Sequence, residues 1–89
     1  MDSELPDFAR RLVEMVVDRP EAVVILAQPT DGGVALTIRV APEEIGMVIG
    51  RGGRTIQAIR QLVIACGAKL GMQVRLDVEE PGDHALRLR

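Results

Sequence analysis

Four consecutive residues carry the clearest chemical signal in this chain. Gly50, Arg51, Gly52 and Gly53 form a knot of glycine and cation, and Arg54 follows directly. Glycine lets a backbone approach another chain closely, and arginine offers a planar fork of donors to phosphate or carboxylate. Such a turn ahead of a helix suits an anion. The first amides of the helix lack partners and lie at the positive end of its dipole. The other reactive side chains lack company. Cys66 is the one cysteine and falls on an apolar stripe, which reads as packing. His84 has no cysteine or second histidine near it to make a metal site. Glu43 and Glu44 stand at a helix start, where the dipole favours acids, and do not read as a catalytic pair. With no nucleophile beside a base, the pattern implies no enzyme, no cofactor and no small-molecule substrate.

Two cofactor readings of the loop fail on spacing. A Walker-A loop ending at Gly53-Arg54-Thr55 requires a glycine where Val48 stands and a lysine where Arg54 stands. A dinucleotide fingerprint starting at Gly50 requires its third glycine at Thr55 and a strand before the turn, where the pattern is helical.

Charge sharpens the picture. The 89 residues carry a net charge of -2, too acidic for a general coat on nucleic acid. Residues 1–44, however, hold nine acids against four arginines, a net of -5. Residues 45–76 hold Arg51, Arg54, Arg60, Lys69 and Arg75 with no acid, a net of +5. The glycine loop lies inside this acid-free third. One Phe, with no Trp or Tyr, argues against modules that stack bases on aromatic platforms. The single cysteine suits a reducing compartment, and the acidic N-terminus is no secretory signal, so a cytoplasmic protein is expected. No apolar run approaches a bilayer span.

The elements that must position the loop follow from periodicity. Leu5, Phe8, Leu12, Met15 and Val16 recur at helical spacing, with Ser3 as a cap and Asp18-Arg19-Pro20 as the stop. Residues 22–28 are short and β-branched, and residues 34–40 alternate, with a Pro29–Gly33 turn between them: a hairpin. Pro42 opens a short helix that Gly50 ends. A longer helix runs from about Gly53 to Leu70, with Ile56, Ile59, Leu62, Val63, Cys66 and Leu70 as its stripe. Residues 73–78 alternate again, and residues 79–89 read as a weakly structured tail. The order is α-β-β-α-α-β.

Val48-Ile49-Gly50-Arg51-Gly52-Gly53, with Ile56 beyond, resembles the KH signature of two apolar residues, Gly-x-x-Gly, two residues and Ile. KH domains clamp about four nucleotides against such a loop. With this element order the resemblance is to the type II KH domain. It implies an α+β fold over residues 1–78, a three-stranded mixed sheet with helices packed on one face. Together with VAPEE before the loop and GAKLG after it, the chain resembles the small bacterial KhpA (YlqC-like) RNA-binding proteins. That resemblance implies a non-catalytic protein binding single-stranded RNA through Gly50, Arg51, Gly52, Gly53 and Arg54. Ile49, Arg39 and Arg60 are secondary candidates; Ile49 belongs first to the core, and the two arginines suit a solvated strand and helix equally well. It also implies an RNA chaperone role, self-association or pairing with a larger KH-containing protein, and a link to cell-envelope or cell-length control. The alternative is a KH-fold interaction or dimerisation subunit with little RNA binding of its own.

Overall fold

Glycine and proline punctuate the chain where its elements change. The computed structural model describes residues 4–79; Ser3, His84 and residues 80–89 of the expected tail lie outside the described residues. Helix α1 spans Glu4–Glu14, with Glu4 and Asp7 in its first turn and Arg11 in its last, as the dipole favours. Pro20–Ala22 forms a 3-10 turn, so β1 (Val24–Thr30) starts two residues later than expected. Gly32, at φ 87°, turns the chain into β2 (Gly33–Arg39), antiparallel to β1. A second 3-10 turn, Pro42–Glu44, leads into the short α2 (Ile45–Ile49). Helix α3 spans Arg54–Lys69, and β3 (Gln73–Val78) lies parallel to β2 on its other side. The strand order β1-β2-β3 gives a three-stranded mixed sheet.

Alternation decides which sheet face is covered. Val34, Leu36, Ile38 and Leu76 are buried, together with Val13 of α1, Val48 of α2 and Val63 of α3. Thr37, Arg39, Arg75 and Asp77 have the opposite parity and fall on the other face. α1 packs on β1 and α3, and α3 packs on β3, so the expected α+β arrangement with helices on one face is present.

Two helix faces are rotated from the expected stripes. In α1 the buried residues are Leu5, Ala9 and Val13, followed by Val17, while Met15 is 83% exposed. Met15 still bonds back to the Arg11 carbonyl in helical fashion, but it lies off the strip that Leu5, Ala9 and Val13 turn inward. In α3 the core takes Ile56, Ile59, Val63 and Gly67; Leu62 and Leu70 are exposed and Cys66 is half-buried. At Gly67 α3 lies tight against β3. A Cβ there would run into the Val74 side chain and lie 3.2 Å from the Met72 carbonyl oxygen.

Candidate nucleic-acid interface

The loop joins α2 to α3 in one tight corner. The Gly50 N–H donates to the Gly46 carbonyl at 2.9 Å, and the Gly53 N–H donates to the Gly50 carbonyl at 3.1 Å. Three of its four residues have positive φ: Gly50 (76°), Gly52 (64°) and Gly53 (78°). They need glycine for different reasons. Gly50, at ψ 171°, lies in a region essentially confined to glycine. A Cβ on it would also strike the Thr55 side chain and come within 2.9 Å of the Thr55 nitrogen. Gly52 and Gly53 are left-handed, yet a Cβ on either would meet nothing within 4 Å. Gly50 is therefore held against α3, while Gly52 and Gly53 leave open space over the start of that helix. Gly53 is the N-cap of α3 and supplies no side-chain acceptor to the first-turn amides.

The candidate arginines divide into two groups. Arg51 and Arg54 are exposed at the loop and, among the described residues, make no ion pair or side-chain hydrogen bond. Arg39, on the sheet face away from the helices, donates to both carboxylate oxygens of Glu79, at 2.6 and 3.2 Å. Those hydrogen bonds, and the negative charge behind them, raise the Arg39 pKa above its ordinary value. Arg60 donates from Nε to the Leu76 carbonyl at 3.0 Å and reaches Asp77 at 3.4 Å, which ties α3 to β3. Ile49 is half-buried against the core. The structure thus brings Gly50, Arg51, Gly52, Gly53 and Arg54 together with Ile49 beside them, and gives Arg39 and Arg60 partners of their own.

Two neighbours of the loop were not legible as such. Thr55 backs Gly50 and has no motif of its own. Glu44, expected to serve its own helix start, is instead 4% exposed and accepts the backbone N–H groups of Asp18 at 3.0 Å and Arg19 at 3.1 Å. Its partners lie 25 and 26 residues away, beyond any local pattern. A separate cleft of about 350 Å³, lined by Leu5, Pro6, Ala27, Pro29, Leu70 and Met72 among others, contains no loop residue. Among the described residues no His, Cys, Asp and Glu group could hold a metal ion, and no helix is long and apolar enough to cross a membrane.

Known proteins place this geometry in a family. The family model described as KhpA/KhpB, KH domain matches residues 6–78. The chain is similar to a Listeria monocytogenes protein named RNA-binding protein KhpA: 42% identical over 69 residues, covering 78% of this chain and 91% of the relative. A Leifsonia xyli protein of the same name is 45% identical over 67 residues, covering 75% of this chain and 86% of the relative. The Bacillus subtilis one is 34% identical over 77 residues, covering 86% and 95% respectively. Among solved structures, Aquifex aeolicus Era bound to GDP and AlF4- gives a TM-score of 0.64 at 14% identity, covering 94% of this chain. Era in complex with MgGDPNP and nucleotides 1506–1542 of 16S ribosomal RNA gives 0.58 at 17% identity, again over 94% of this chain. The chain spans 34% of each Era structure, and at such identity the likeness shows the fold alone. Loop, element order, family model and relatives agree: this chain belongs to the KhpA/KhpB family of KH domains, a non-enzymatic family.

Proposed function

We propose that this protein binds single-stranded RNA through the Gly50–Gly53 loop and the start of α3. The observation that carries this reading is the combination of open space above Gly52 and Gly53 with two arginines beside them, Arg51 and Arg54, that pair with none of the described residues. A sugar-phosphate chain can lie on the glycines and take charge-assisted hydrogen bonds from the arginines, at the positive end of the α3 dipole, where the Arg54 N–H already donates to the Arg51 carbonyl. Ile49 stands at the edge where an apolar base contact would form. Arg39 and Arg60, held by Glu79 and Asp77, contribute less.

A surface this small touches few phosphates. If about three are neutralised, log affinity falls with log salt at a slope of about -2, so fourfold more salt weakens binding roughly 16-fold. Binding by one domain is correspondingly weak. A second KH surface, from another copy or from a larger KH-containing partner, raises it through multivalency. In that setting the protein acts as a cytoplasmic RNA chaperone, with an effect on cell envelope and cell length. The competing reading is an interaction subunit with little RNA binding of its own, favoured by the exposed apolar side chains Leu62 and Ile64 on α3. RNA titration of the Arg51→Asp/Gly52→Asp variant separates the two readings, because it places acids where phosphate would lie.

A further inference from the structure

Helix α2 has five residues and ends in the glycine loop. A helix that short has no stable direction of its own, so contacts outside it must aim the loop. At its far end Gly50 is seated against Thr55. In its middle Val48 is fully buried. At its near end stands Glu44, whose carboxylate accepts two successive backbone amides, those of Asp18 and Arg19. That segment is itself anchored: Val13 and the adjoining Val17 are in the core, and the Val17 N–H donates to the Val13 carbonyl. Glu43 adds only an exposed pair with Arg19 at 3.0 Å, of the kind that contributes little.

We infer that Glu44 is a positioning residue for RNA binding, a carboxylate bracket that fixes the root of α2 to the turn after α1 and so aims the glycine loop. It touches no RNA, and the inference rests on the loop being the RNA site. The physical reason lies in the acceptor. An ionised carboxylate can take both amides at once, whereas a neutral amide side chain at the same place turns an NH2 group toward one of them. The amide left over loses its partner, and the root of α2 loosens although side-chain volume is unchanged.

Glu44→Gln in the full chain tests this through two readouts. Hydrogen exchange by NMR reports the Gly50 and Gly53 amides, with the Leu36 and Leu76 amides as the sheet reference. Titration with a labelled single-stranded RNA reports affinity. The bracket predicts roughly tenfold faster exchange at Gly50 and Gly53, unchanged exchange at Leu36 and Leu76, and RNA binding weaker by roughly tenfold, because the loop is correctly placed only part of the time. Glu43→Ala, which removes only the exposed pair, leaves both readouts unchanged. Equal acceleration at all four amides would mean that Glu44 supports the whole domain, and so would outright loss of the fold; either overturns the inference. So does unchanged exchange at Gly50 and Gly53, or an equal effect from Glu43→Ala. If the wild-type protein binds no RNA, the proposed function falls, while the exchange pattern still decides whether Glu44 sets the loop.

Discussion

Replacing Gly50 by alanine adds one methyl group, at a place where the structure leaves no room for it. Gly50 sits at φ 76° and ψ 171°, a region where a residue with a Cβ is strained by roughly 1–3 kcal/mol. The new methyl would also meet the Thr55 side chain and backbone nitrogen. The nitrogen cannot swing aside as a side-chain tip can, so the start of α3 has to shift. Overpacking of this kind costs about 1–3 kcal/mol by itself. Strain and overpacking share one relaxation, so we take about 2–4 kcal/mol for Gly50→Ala. In a domain of this size each kcal/mol lowers Tm by about 4–8 °C, so the expected drop is on the order of 10–30 °C. Circular dichroism melts of wild type, Gly50→Ala and Gly52→Ala provide the assay. Gly52 shares positive φ but faces open space, so its alanine variant bears only the left-handed penalty of about 1–2 kcal/mol. Equal melting temperatures for the two variants, or a Gly50→Ala drop below about 3 °C, would refute the distinction between the seated glycine and the open one.

Three further outcomes follow from named residues. Arg51→Ala/Arg54→Ala should flatten the salt dependence of RNA binding by about 1.4 log units per decade, two phosphates' worth. Arg39→Ala, whose guanidinium Glu79 already holds, should change that slope by less than about half as much, as read from titrations at four salt concentrations. Gly67→Ala should lower stability by about 1 kcal/mol although alanine is the better helix former, because its methyl meets the Val74 side chain. In a Val74→Ala background the cost should shrink, leaving the Met72 carbonyl at 3.2 Å as the remaining close contact, which a pair of denaturant melts can check.

Much of the fold was legible because local pattern and tertiary demand agree in β2, β3 and the glycine turn. Val34, Leu36 and Ile38 alternate and are buried as alternation requires. The corner between α2 and α3 was legible because its glycines interrupt two helical patterns, and the chain turns there. What failed did so for identifiable reasons. In α1 apolar residues occupy two adjacent stripes, and periodicity cannot say whether the one with Met15 or the one with Ala9 and Val13 faces the sheet. Leu62 and Leu70 satisfy the α3 spacing but lie exposed beside the buried strip that Ile56, Ile59, Val63 and Gly67 form. Gly67 gave no signal, since a residue without a side chain marks close approach only once its neighbour across the gap is known. The partners of Arg39 and Arg60 gave no signal either, because Glu79 and Asp77 lie 40 and 17 residues away in sequence.

Acid substitution at the loop tests RNA binding there most directly. Arg51 has ordinary negative φ, and the position of Gly52 is open. Aspartate at position 52 tolerates the left-handed backbone at about 1 kcal/mol, so the double variant should fold. Its affinity for a labelled single-stranded RNA, compared with wild type at one salt concentration, should fall by at least about tenfold, since each charge-assisted hydrogen bond to phosphate is worth roughly 1.5–3 kcal/mol. A folded Arg51→Asp/Gly52→Asp protein that binds the same RNA as tightly as wild type would contradict the account.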